Sequence, residues 1–243
     1  MAAISKRLAS NVPGEFFVDS TCIDCDTCRW MAPGVFDELG DQSRVHRQPA
    51  SAAEARAAEL ALVACPTGSI GTTTKRDLSA AREAFPIVID GDVHHCGYHA
   101  ESSFGAASYL IRRPPERGGN VMIDSPRFSA PLVKRIEAMG GIATLFLTHA
   151  DDVADHARFH DRFGCRRVMH AADVGAGARG VESAIEGIEP VRLDEEILLI
   201  PVPGHTRGST ALLYRERNLF SGDHVAWSDS RGQVYAFRSA CWF

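Results

Sequence analysis

Two rhythms of apolar and polar positions divide the chain. Before residue 70 the longest regular segment is "SAAEARAAELALVA", alanine-rich and helical in character, with Ser51 and Glu54 spaced as a capping box at its start. Residues 71–85, "GTTTKRDLSAAREAF", are polar and lack strand alternation, which predicts a linker with its boundary near 78–86. From "PIVIDGDV" onward, short apolar runs recur with turn residues between them: "SYLIRR", "NVMID", "ATLFLT", "RRVMHA", "ILLIPV", "TALLYRE" and "LFSGD". Helix-like segments, "APLVKRIEAMG" and "VADHARFHDRFG", separate some of them. Short strands mixed with helices over this length predict a layered α+β or α/β domain. The expected division is residues 1–80 and residues 81–243.

Composition narrows the function classes. The 243 residues are 45% hydrophobic and 23% charged, enough for one large core or two modest ones. A net charge of −5 provides no electrostatic footprint for nucleic acid. No stretch approaches the length of a membrane span, and "MAAISKRLASNVPGEFF" lacks an apolar signal core, so the expected location is the cytoplasm.

The seven cysteines do not suggest a disulfide framework, because their number is odd and three of them cluster. Cys22, Cys25 and Cys28 form C-x-x-C-x-x-C, and Cys65 is followed by Pro66. A loop with a sulfur every third residue turns three thiolates toward one centre, and a remote cysteine closes the fourth position. A four-cysteine zinc site normally comes as two separated pairs, so the spacing favours an iron–sulfur cluster over zinc. The stretch "CIDCDTCRWMAPGVFDELGDQSRVHRQP" with "AELALVACPTGSI" resembles the single-cluster bacterial-type ferredoxins over about residues 15–75. The resemblance implies one [4Fe–4S] cluster on Cys22, Cys25, Cys28 and Cys65. Asp26 departs from it, standing where such loops often have Gly.

Further chemistry collects where apolar runs stop. "ATLFLT" ends at His149, "EILLIPVPG" at His205 and "NLFSG" at Asp223. Strand ends hold side chains rigidly while leaving them open to solvent, which suits ligand duty. The landmarks "NVMIDSP", "LTHADDVADH", "PVPGHTRGS" and "FSGDH" resemble the metallo-β-lactamase fold superfamily over about residues 86–243. The implied fold class is α+β: a small ferredoxin-like domain followed by an αββα metallo-β-lactamase-like sandwich, expected to lack its last strand and helix. The implied ligands are His149, Asp155, His156, His205 and Asp223, with Asp151 standing where the superfamily has its second histidine. A carboxylate at 151 shifts the metal preference toward iron or manganese, so zinc or iron is expected. Asp151 reads equally as a helix N-cap, and Asp152 reads better as a residue offsetting a helix dipole than as a ligand. His156 and His160 share a helix face, but no general base follows at 157. His160 reads as exposed, His170 as structural or as a support behind a ligand, and His94, His95 and His99 as a loop lining a cleft rather than a metal site.

The expected activity is hydrolysis, with metal-activated water attacking an unknown ester, thioester or similar small-molecule substrate and Asp155 orienting or deprotonating that water. Two other readings stay open. In one, the cluster passes electrons from a redox partner to an iron-bearing site. In the other, a non-catalytic cluster protein has lost its second metal. The apolar end "AFRSACWF" is expected either to mark a truncated chain or to be covered by a partner chain, as in a homo-oligomer.

Overall fold

The computed structural model describes residues 2–228, 231–236 and 240–242. By contact density the chain forms two compact units: residues 1–110 with 126–140, and residues 111–125 with 141–243. The first takes in the whole 1–80 segment and continues beyond it.

In the first unit, β1 (Phe16–Val18) precedes a short helix, α1 (Thr27–Met31), and a hairpin of β2 (Phe36–Leu39) and β3 (Gln42–Val45). Helix α2 (Ala52–Ala64) follows, and β4 (Ile70–Thr72) returns antiparallel to β1. Ser51 caps α2 as predicted, its hydroxyl accepting the Glu54 N–H at 3.2 Å. The Glu54 carboxylate closes the box one residue early, on the Ala50 N–H. Ala58 and Ala61 are fully buried and let α2 lie close against a core of Phe16, Phe36, Val45 and Ile70. Cys28 and Cys65 belong to this core, so the two halves of the cysteine motif are joined by packing.

The polar segment 71–85 is structured rather than a free linker. The Arg76 guanidinium pairs with Glu15 at 2.8 Å and Glu59 at 2.7 Å. Residues Ser79–Ala84 form α3, with Ala81 fully buried. A hairpin of β5 (Ile87–Asp90) and β6 (Val93–His95) comes next, and the chain leaves the first unit within β7 (Tyr109–Ile111).

The second unit begins with β8 (Val121–Ile123). After α4 (Ala130–Ala138), which belongs to the first unit, come β9 (Thr144–Phe146), α5 (His156–Phe163), β10 (Arg166–His170) and β11 (Ser183–Ile185). Strands β8 to β11 lie side by side and parallel. β8 and β9 are buried at every residue, the signature of parallel strands covered on both faces. A second, antiparallel sheet runs β12 (Val191–Arg192), β13 (Ile197–Pro201), β14 (Thr210–Tyr214), β15 (Asn218–Phe220). The Thr210 N–H donates to the Thr148 carbonyl at 2.9 Å, tying the start of β14 to the segment after β9. A small cysteine-bearing N-terminal part and a sheet-rich second unit are what the two resemblances implied. Of the apolar C-terminal residues, Trp242 is exposed and Phe243 lies outside the described residues.

Candidate metal centre and cluster site

In the second unit, the segment after β9 and the β13–β14 and post-β15 turns converge. His205 Nε2 lies 3.2 Å from Asp151 Oδ2 and 3.5 Å from Asp223 Oδ2. His149 Nε2 lies 3.8 Å from Asp223 Oδ2 and 4.0 Å from Asp151 Oδ2. Asp152 approaches His149 Nδ1 at 3.8 Å. Two overlapping groupings have donor atoms all within 4.8 Å of one another: His149, Asp151 and His205, and His149, Asp152 and Asp223.

The proton positions follow from the surroundings. Thr148 Oγ1 is 3.0 Å from each oxygen of the buried Asp124 carboxylate and donates to it. It therefore accepts from His149 Nδ1, 2.9 Å away. That places the proton on Nδ1 and leaves Nε2 bare, buried and without a hydrogen-bond partner. His205 Nδ1 donates to the Ala240 carbonyl at 2.6 Å, which turns its Nε2 toward the Asp151 carboxylate at 3.2 Å. The Nε2 atoms of His149 and His205 thus face the carboxylates of Asp151 and Asp223. The lone pair of the unpartnered His149 Nε2 against carboxylate is repulsive, and a cation held there would be ligated by these groups. The donor set, two imidazoles with carboxylates, fits zinc and fits iron or manganese.

Electrostatics agree. Burial, reinforced by the other carboxylates, pushes Asp152 well above the usual carboxylate range. Burial pushes Asp124 up to about 7, with Asp223 adding repulsion against the lowering effect of the Thr148 hydrogen bonds. Burial lowers His149. Burial makes all three groups resist charge; the neighbouring acids add to this for Asp152 and Asp124 and oppose it for His149.

Of the expected ligands, His149, Asp151, His205 and Asp223 are brought together; Asp155 and His156 are not. Asp155 stands at the start of α5 with Arg158 3.5 Å from its carboxylate. His156 turns to the Gly177 carbonyl at 2.9 Å and to Arg167 at 3.3 Å. Neither belongs to a grouping. The reason is local: α5 starts only at His156, so residues 151–154 form a turn that brings Asp151 and Asp152 to the site and carries 155 and 156 past it. Asp151 is accordingly no helix cap. Asp152, read from sequence as a dipole residue, has a 6%-exposed side chain in the site. Asp124 and Asp173 are also missed by the motif; the ends of β8 and β10 were the only signal for them. His170 is structural as expected, accepting the Ala172 N–H and donating to the Gly187 carbonyl.

In the first unit, Cys22, Cys25, Cys28 and Cys65 line one small enclosed cavity. Asp24 and Asp26 adopt left-handed conformations, φ 59° and 66°, which aspartate tolerates and which wind the loop tightly. Arg29 holds both carboxylates, at 2.5 and 2.7 Å. Burial pushes the Cys28 thiol up to about 12 and raises Cys25, so thiolates there require a bound metal. Four convergent sulfurs in one cavity fit a cubane cluster.

Residues 18–72 match the family described as the 4Fe-4S single cluster domain of Ferredoxin I. All four cysteines fall inside that span, and the segment is a ferredoxin-type 4Fe–4S domain. The chain is also 34% identical over 103 residues to a hydroxyacylglutathione hydrolase of Mesorhizobium japonicum, covering 41% of this chain and 40% of the relative. The chain thus spans about two fifths of the length of that curated relative. Among solved structures, ETHE1 from Myxococcus xanthus is 20% identical, with 56% of this chain and 58% of that chain covered and a TM-score of 0.41. Native FEZ-1 metallo-beta-lactamase from Legionella gormanii is 23% identical, with 54% and 59% covered and a TM-score of 0.38.

Proposed function

We propose that the second unit is a metal-dependent hydrolase acting on an acyl thioester or ester, carried beside a [4Fe–4S] domain in one chain. The observation that carries this reading is the buried, unpartnered Nε2 of His149, which with the Nε2 of His205 faces the carboxylates of Asp151 and Asp223. The partial likeness to a hydroxyacylglutathione hydrolase supports the substrate class. A metal held by His149, His205, Asp151 and Asp223 would supply a bound water of pKa near 7 and Lewis-acid polarisation of a carbonyl.

The remaining roles belong to the chain. Thr148 and Asp124 fix the tautomer of His149, and the Ala240 carbonyl fixes that of His205. Asp151 and Asp223 expose 63% and 52% of their side chains, so either can orient a water and take its proton at the solvent face. That assigns to Asp151 or Asp223 the role the sequence reading gave to Asp155.

The test is anaerobic purification with iron, zinc and manganese analysis, then assay of thiol release from a hydroxyacylglutathione. Metal beyond the four irons of the cluster, with thiol release abolished by H205A, supports hydrolysis. Four irons, no other metal and no thiol release overturn it. The cysteine cavity favours a second reading, in which the cluster accepts electrons from a redox partner and delivers them to iron at the His149–His205 site. Extra iron reduced through the cluster, without hydrolysis, would select that reading.

A further inference from the structure

A buried pair of histidines stands behind the cluster loop and takes part in neither site as described so far. His95 and His99 are 4% and 1% exposed, and their Nε2 atoms are 2.8 Å apart. His99 Nδ1 is 2.5 Å from the Gly105 carbonyl and 3.0 Å from Thr27 Oγ1. Thr27 Oγ1 is in turn 3.4 Å from Cys25 Sγ. All five residues belong to the first unit.

The direction of this chain can be derived. A carbonyl only accepts, so the Gly105 contact places the proton of His99 on Nδ1. A neutral His99 then has a bare Nε2, and His95 must donate to it from its own Nε2. His99 Nδ1–H also faces Thr27 Oγ1, leaving the threonine proton free to point elsewhere. Its two remaining acceptors are the Gly105 oxygen at 3.5 Å, the outer limit for an oxygen, and Cys25 Sγ at 3.4 Å, an ordinary distance for sulfur. A cluster-bound cysteine has no proton to give, so the hydroxyl donates to the sulfur. Every link therefore points the same way, from His95 through His99 and Thr27 to Cys25.

Both imidazoles stay neutral. Burial lowers His95 to about 3 and His99 to about 4, and neither ring has a carboxylate partner among the described residues. The rings around them are Trp30, Phe85 and Tyr109, and the nearby charge felt by His99 is Arg127, which opposes protonation further. The fit is tight. A Cβ on Gly105, whose φ is +85°, would lie 2.6 Å from the Cys25 Cβ, so the segment bearing the carbonyl is pressed onto the cluster loop.

We propose that the His95–His99–Thr27 chain is a polarised hydrogen-bond donor to the Cys25 sulfur that raises the reduction potential of the [4Fe–4S] cluster. Donors to cluster sulfurs stabilise the more negative, reduced state, and each member of an aligned chain strengthens the next. His95 and His99 are positioning residues acting through Thr27. The inference rests on the cluster domain and is independent of hydrolysis in the second unit.

The experiment is a mediated redox titration of the full chain with its cluster, followed by EPR of the reduced state, with iron content measured for every variant. T27V removes the hydroxyl at constant shape and is expected to make reduction about tenfold less favourable, a drop of about 59 mV for one electron. T27S restores the wild-type potential. H99N and H95F each shift it in the same direction by less, and T27V/H99N shifts it no further than T27V alone. The wild-type potential is expected to be independent of pH between 6 and 9. A T27V potential equal to wild type with the cluster intact overturns the proposal. So does a T27V shift that neither histidine variant shares, or a wild-type slope near 59 mV per pH unit, which would mean the pair takes up a proton. If H99N fails to hold the cluster, H95F and the T27V/T27S pair decide.

Discussion

Gly208 donates its backbone N–H to Asp173 across 2.7 Å, so closely that a Cβ at 208 would lie 2.6 Å from the carboxyl carbon. The other Asp173 oxygen accepts the Ala150 N–H at 3.1 Å and the Thr206 hydroxyl. One buried carboxylate therefore ties the turn after His149 to the turn that carries His205. D173A is expected to weaken metal binding roughly 10–100-fold, the usual cost of losing the support behind a ligand. G208A should act in the same direction by pushing the turn off Asp173. Chelator competition measures both, with cluster absorbance as the unchanged control.

The ligand set itself separates two outcomes. H149A, H205A and D223N should each empty the second-unit site while leaving iron and sulfide at the cluster untouched. D155N and H156A should keep that metal, because neither side chain reaches it. H156A removes the hydrogen bond to the Gly177 carbonyl and a partner of Arg167, and is expected to cost about 1–2 kcal/mol of stability. Metal analysis and thermal melts of the five variants decide. Loss of metal in H156A with an unchanged melting temperature would reinstate the sequence motif over the geometry.

That contrast locates what could be read in advance. Spacing of the cysteines and the Cys65-Pro66 pair suffice for the cluster, because its geometry is set by a short loop and one remote residue. His149, His205 and Asp223 lie close together because each ends an apolar run, and sheet edges gather such ends. Asp155 and His156 lie outside the groupings because a motif read along the chain assumes the helix starts where polar residues start. The turn over 151–154, with Ala154 at φ +28°, delays the helix and substitutes Asp152. The pairing of His95 with His99 depends on a hairpin and a turn that no local pattern reveals.

Acid should act on the first unit through that histidine pair. Their folded pKa values, about 3 and about 4, lie below the ordinary value of 6.5. Below pH 6.5 the unfolded chain binds protons that the folded chain excludes, so stability is full above pH 6.5 and falls with pH toward 4. The loss reaches up to about 1.4 kcal/mol per pH unit for each histidine. Denaturant unfolding at intervals from pH 7.5 to 4.5 measures it, followed by cluster bleaching. H95F should flatten the profile relative to wild type even where it lowers stability at pH 7.5. A parallel offset at every pH would mean that the imidazole charge plays no part.

Gly105 and Gly91 both have positive φ, +85° and +55°, yet they stand in opposite surroundings. Alanine at either position accepts a left-handed backbone at a cost of about 1–2 kcal/mol. At Gly91, in the turn between β5 and β6, nothing lies within 4 Å of the new methyl, so that cost is the whole effect. At Gly105 the methyl meets Cys25 Cβ at 2.6 Å and Sγ at 2.9 Å, both part of the loop that must wrap the cluster. Since a bound cluster stabilises only a loop that can close around it, G105A is expected to lower cluster incorporation as well as stability, whereas G91A lowers stability alone. Iron and sulfide content per chain after anaerobic reconstitution distinguishes the two. Equal iron loading in both variants would show that the segment ending at Gly105 can retreat from the loop, and that the close approach of the two backbones is not required to hold the cluster.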